Sequence, residues 1–183
     1  MLLKQEEVDP DKPDDKGRTP LSKAAKKGHE GVVKILLEQE EVIADKPNQY
    51  GATPLSAAAR HGHEGVLKIL LDREDVNPDK LDNSTSTPLS YAARGGHAGV
   101  IKILLEREEV DPDKPDKYGR TPLLYAAMWG YVRMVKIILE REEVNPWHRD
   151  QHGETPLMHA TRSRHQSVIA LLRSRKSLTH SQV

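Results

Sequence analysis

Apolar residues fall along this 183-residue chain in short clusters separated by long polar stretches. Val32, Val33, Ile35, Leu36 and Leu37 form the first full cluster, and its spacing recurs in VLKILL (66–71), VIKILL (100–105) and MVKIIL (134–139). Positions i, i+1, i+3, i+4 and i+5 cover one broad helical face, so each cluster predicts a helix with a wide buried stripe. Upstream stands a second recurring element, Thr-Pro-Leu at Thr19, Thr53, Thr87, Thr121 and Thr155, every interval being 34 residues. Here the Thr hydroxyl suits an N-cap, and the Pro suits the first helical position, where its missing N–H costs nothing. A short helix of about two turns follows, thinned by Ala pairs and ended by Gly28, Gly62, Gly96 and Gly130 at the left-handed C′ position. The next helix starts near Glu30 and stops at a connector in which Pro10, Pro78, Pro112 and Pro146 prevent continuation, with Ala44 the exception. Gly17, Gly51, Gly119 and Gly153 mark a tight turn before the following Thr. The pattern is five tandem helix pairs.

These residues resemble the ankyrin repeat, with its turn, Thr-Pro-Leu-x-x-Ala-Ala helix, Gly-His and second helix. The family's His after Thr-Pro-Leu is replaced by Ser22, Ser56, Ser90, Leu124 and Met158, and its usual helix-ending Gly-Ala by EREEV-type sequence. A longer connector carries the DPDKP element. That 34-residue variant resembles the arrays attached to fungal NOD-like (NACHT-type) receptors. The resemblance implies an all-α solenoid of five helix-turn-helix units, at about 14–47, 48–81, 82–115, 116–149 and 150–183, forming one domain over 1–183. Residues 1–13 repeat the end of a unit: Leu2-Leu3 and KQEEVDPDKP match Leu36-Leu37 and EQEEVIADKP. They are read as an N-terminal half-unit, and the chain as part of a longer array. The last unit reads as a cap, with Thr161, Arg164 and Arg173 in place of Ala, Gly and Leu, and SLTHSQV as a frayed tail.

Composition narrows the chemistry. Lys plus Arg equals Asp plus Glu at 28 each, so no global charge draws the chain to nucleic acid or acidic membranes. Phe is absent, which makes the core aliphatic, and the absence of Cys removes disulfides and thiolate chemistry. No apolar run approaches a membrane span, and a cytoplasmic monomer is expected. His29, His63, His97 and His165 share one repeat position, where a structural role between helices is expected; Tyr131 stands there in unit four. His148, His152 and His159 lack zinc-site spacing, and Asp111, Asp113 and Asp116 are read as solvated turn residues. No catalytic constellation, cofactor motif or metal site is expected, and the chain is not read as an enzyme.

The resemblance also places partner contacts, on the turn before each Thr and at the end of each first helix. Those positions hold Lys16, Arg18, Lys26 and Lys27 in unit one, Tyr50, Arg60 and His61 in unit two, and Arg94 in unit three. Unit four offers Tyr118, Arg120, Met128 and Trp129, and unit five Arg162. Eight of these are Lys or Arg; Glu154 is the acidic exception among the mapped positions, while Glu38, Glu40, Glu41, Glu106, Glu108 and Glu109 gather on the outer connectors. The expected function is a non-catalytic protein–protein interaction module whose concave basic and aromatic face takes an acidic or mixed acidic–apolar protein or peptide. Two alternatives are a scaffold or designed repeat without an evolved ligand, and nucleic-acid binding through the same groove. Net neutrality disfavours the latter, which rests on many phosphate contacts.

Overall fold

The computed structural model describes residues 9–179, with side chains as far as Arg175. Among these, ten helices form five pairs and no strand occurs. The pairs are α1 (Pro20–Lys27) with α2 (Glu30–Leu37), α3 (Pro54–His61) with α4 (Glu64–Leu71), α5 (Pro88–Gly95) with α6 (Ala98–Leu105), α7 (Pro122–Met128) with α8 (Val132–Leu139), and α9 (Pro156–Arg162) with α10 (Gln166–Thr179). Odd helices pack on odd and even on even, and each pair closes on itself, which is an all-α repeat solenoid. Residues 1–8 of the N-terminal half-unit, and residues 180–183, lie outside the described residues. The expected tail is corrected in part: α10 carries its helix through Thr179.

Every odd helix begins as the sequence requires. The Thr hydroxyl accepts the amide of Ser22, Ser56, Ser90, Leu124 or Met158, three residues on. In units two and three the Ser hydroxyl accepts the Thr amide in return, at 2.7 Å from Thr53 and 2.9 Å from Thr87. The Ser that departs from the family pattern therefore closes a capping box. At the other end Gly28, Gly62, Gly96 and Gly130 take φ of 72–79°. Arg164 takes the same left-handed position in unit five, at φ 59°.

The core is aliphatic, centred on Leu55, Leu67, Leu70, Leu89, Ile101, Leu104, Leu123, Ile138 and Leu172. Unit one departs from the expected stripe. Val32 is 48% and Ile35 62% exposed, and only Val33 is fully covered. Val66 and Val100, equivalent to Val32, are buried, because a preceding even helix lies against them; α2 has only α4 on that layer among the described residues.

Successive units are stitched by polar contacts at nearly constant offset. Lys46, Lys80 and Lys114 reach back to Asp11, Asp45 and Asp79 at 2.6–2.8 Å. Arg73, Arg107 and Arg141 donate to the carbonyls of Leu37, Leu71 and Leu105, ending the preceding unit's even helix. His63, His97 and His165 donate Nε2–H to Lys26, Arg60 and Met128 carbonyls, the structural role expected for that position. A Cβ on Gly62 would lie 2.5 Å from the ring of His97, so this glycine serves the neighbouring unit as well as its own turn.

Candidate functional site

The first turn of every odd helix except α3 carries a side chain that looks back at the preceding hairpin-like turn. Tyr91 donates its hydroxyl to Asp82, and Tyr125 to Asp116, both at 2.5 Å. In unit five His159 fills the same position and donates Nε2–H to Asp150 at 2.9 Å; in unit one Lys23 pairs with Asp14 at 3.1 Å. Unit two has Asn48 and Ala57 there, so both members of the pair change together. Each Asp is itself fixed, since Asp116 also accepts the amides of Tyr118 and Arg120. The two tyrosine rings are thereby held on the floor of a groove. Burial, with the Asp hydrogen bond second, pushes both phenols up to about 12.

On those rings lie arginines from neighbouring positions. The Arg60 guanidinium stands 5.4 Å from the Tyr91 centroid and that of Arg94 5.5 Å from Tyr125. Arg120 approaches Tyr118 at 5.5 Å and Tyr125 at 5.9 Å. An arginine resting on an aromatic face keeps its N–H edge available for a planar anion. Among the described residues no carboxylate lies within ion-pair distance of Arg60, Arg94 or Arg120. Arg120 Nε is buried without a hydrogen-bond partner. These residues, with Tyr118, Met128 and Trp129, line a cavity of about 360 Å³. A second cavity of about 300 Å³ joins it through Arg60 and Tyr91 and continues past His61 to Lys26 and Arg18. Trp129, 56% exposed, forms an open apolar wall.

The expected contact residues therefore separate. Lys26, Arg60, His61, Arg94, Tyr118, Arg120, Met128 and Trp129 share the joined groove. Arg18 borders it but is bound to Asp14 at 2.8 Å, which holds that carboxyl well below the usual range. Arg162 is tied to Glu154 at 2.5 Å and donates to His159 Nδ1 at 2.8 Å. Lys16, Lys27 and Tyr50 are exposed and line neither cavity. Arg60, Arg94 and Arg120 are stacked rather than simply solvated, and Arg120 is half-buried.

The reading of Asp113 and Asp116 as solvated turn residues needs correction. Asp116 is 5% exposed and anchors Tyr125, and Asp113 is half-buried with Oδ1 unpartnered, because the turns stack on one another instead of facing water. Asp150, Glu154 and His159 bring one ligand atom each within 4.8 Å of one another, which their sequence spacing did not suggest. Both ring nitrogens of His159 are already engaged, by Asp150 and Arg162, so the cluster closes on itself as the unit-five version of the Asp–Tyr bond. Burial works against the Asp150 charge, but His159 and the amides of Glu154 and His152 hold its carboxyl below the ordinary range. The recurrence of Asp and Tyr nine residues apart was the sequence signal for this floor.

Among the described residues no helix is long and apolar enough to cross a membrane. No curated protein matches the chain. A family model described as ankyrin repeats (3 copies) matches residues 1–82, 74–150 and 110–181. Ankyrin repeats are in general protein–protein interaction modules, and the family is generally non-enzymatic. With that match spanning nearly the whole chain, the protein belongs to the ankyrin-repeat family.

Proposed function

We propose that this chain is a non-catalytic interaction domain, one array over 1–183, that recognises an acidic or mixed acidic–apolar protein segment in its basic, aromatic groove. The observation that carries the reading is three arginines, Arg60, Arg94 and Arg120, stacked on tyrosines beside Trp129 with no carboxylate among the described residues paired to them. Arg, Tyr and Trp are the residue types that most often dominate binding energy at interfaces. The 34-residue period and DPDKP connector support the further reading that the array is the sensing region of a larger signalling receptor of the fungal NOD-like type.

The test is selection of a random peptide display library on the immobilised chain and on a variant carrying Arg60→Glu, Arg94→Glu and Arg120→Glu. Acidic sequences with an aromatic residue are expected to be enriched on the wild type and lost on the variant. Equal selection by both, or tighter binding of a mixed-sequence DNA duplex than of any selected peptide, overturns the reading.

A further inference from the structure

One position of the repeat reads Lys26, Arg60, Arg94, Met128 and Arg162, spaced by 34 residues at the end of each odd helix. Three cations in a row are followed by an apolar step, which Trp129 widens, and then by an arginine already occupied by Glu154. The first four open into the joined groove. At this repeat position the groove therefore has a direction, charged in units one to three, apolar in unit four and closed in unit five, with Arg120 of unit four lining the same cavity as the apolar step.

Resting on the reading above, we propose that the groove takes a peptide in the polyproline II conformation with an apolar anchor and acidic residues at every third position. The anchor sits on Met128 and Trp129, and successive carboxylates meet Arg94, Arg60 and Lys26. The spacing argument is geometric. Packed helices lie about 8–10 Å apart, so cations at equivalent positions of α1, α3 and α5 recur at about that interval. A polyproline II segment rises about 3.1 Å per residue with three residues per turn, so side chains three apart share one face about 9 Å apart. A β-strand instead repeats each face after about 6.6–6.8 Å, and successive carboxylates drift out of step with the cations. Aromatic-lined grooves suit the polyproline II form, which brings little ordering entropy to binding. The carboxylates at Arg94 and Arg60 are expected to accept from the N–H edge of a guanidinium whose flat face stays on tyrosine, and the one at Lys26 from its ammonium.

The experiment uses the full chain and fluorescein-labelled synthetic peptides, read by fluorescence anisotropy. The matched probe is Trp-Ala-Pro-Glu-Ala-Pro-Glu-Ala-Pro-Glu, together with its reversed sequence, since the chain direction of the ligand is open. The permuted probe, Trp-Ala-Glu-Ala-Glu-Ala-Glu-Pro-Pro-Pro, has the same composition with carboxylates two apart. The matched peptide in one direction is expected to bind on the order of tenfold tighter than the permuted one. Arg94→Gln is expected to erase that preference. Equal binding of matched and permuted peptides overturns the spacing proposal while leaving the acidic-groove reading standing. Tighter binding of a helix-forming peptide with Glu at every seventh residue does the same. If no acidic peptide binds, both fall together.

Discussion

The guanidinium of Arg94 lies over the ring of Tyr125, 5.5 Å from its centroid, while the hydroxyl of that ring donates to Asp116 at 2.5 Å. The ring and the hydroxyl thus have separate duties, and substitution can separate them. Tyr125→Phe keeps the stacking surface and removes one donor; a loss of about 1 kcal/mol of stability is expected, with peptide binding retained. Tyr125→Ala removes the platform as well and is expected to weaken binding. The phenol pKa is raised to about 12, so its contribution is fully present below the unfolded value near 10 and is lost as pH rises through about 12. Urea unfolding between pH 9 and about 12 should therefore show a shallower decline for the Phe variant than for the wild type.

Thr85 occupies the turn position that holds glycine in the other four units, with φ 54° against 71–78° for Gly17, Gly51, Gly119 and Gly153. A β-branched residue is strained in the left-handed region. Thr85→Gly is expected to stabilise the protein by about 0.5–1 kcal/mol in spite of the extra backbone freedom of glycine. The converse, Gly119→Thr, should cost more, since its Cβ would also stand 3.0 Å from the amide nitrogen of Gln151. Urea midpoints of the two variants check both signs.

Such positions show what the sequence made legible. Thr caps, glycine C′ residues and apolar clusters act within one unit, over spans of three to eight residues, and local chemistry announces them. The contacts between units were not announced: Lys46 to Asp11, Arg73 to Leu37 and His63 to Lys26 join residues 35, 36 and 37 apart. Their signal was present as Lys, Arg and His recurring once per unit, but the partner of each depends on how one unit seats on the next. The groove followed the same rule. Its basic residues were visible in the sequence, whereas their stacking on Tyr91 and Tyr125, and the loss of Arg18 and Arg162 to nearby carboxylates, depended on side-chain geometry.

Asp113 is the rung of the lysine–aspartate ladder that lacks its lysine, because His148 stands where Lys114 and its equivalents stand. Burial raises its carboxyl pKa, and Oδ1 has no partner. A raised folded pKa means that stability is fully present below the unfolded value and is lost as pH rises through the folded one. Asp113→Asn, which keeps the acceptor for the Asn145 amide, is expected to stabilise the fold at pH 7 by up to about 1 kcal/mol. The gain should vanish near pH 3. A thermal unfolding series across that range reads the crossover.

His159 and Asp150 give the opposite sign. The Asp150 carboxyl is held below its ordinary pKa, so its contribution is present above the unfolded value near 4 and is lost as pH falls through the folded one. His159→Ala leaves a buried carboxylate without its side-chain donor and is expected to cost about 2–3 kcal/mol at pH 7. The variant should also lose less stability than the wild type on acidification. His159→Tyr, which restores the donor used in units three and four, should recover most of the loss.

Charge reversal tests the groove as a whole. Arg60→Glu, Arg94→Glu and Arg120→Glu together should abolish binding of an acidic–aromatic peptide, and the effect should shrink as ionic strength rises, since exposed charges are screened over about 8–10 Å near physiological salt. Because each arginine is stacked on a tyrosine, the variant should also lose about 0.5–1 kcal/mol of stability per site, so thermal unfolding must establish that it is folded at the assay temperature. Trp129→Ala removes apolar contact and no charge, and its weakening of binding should persist in high salt. The contrast between the two salt responses distinguishes a mixed acidic–apolar ligand from a purely ionic one. Glu106→Lys, Glu108→Lys and Glu109→Lys reverse exposed charges on the outer connector and should change binding little. Affinities at low and high salt for these variants decide the matter: if the glutamate variant fails to bind while the arginine variant binds normally, recognition belongs to the outer face and the groove is not the site.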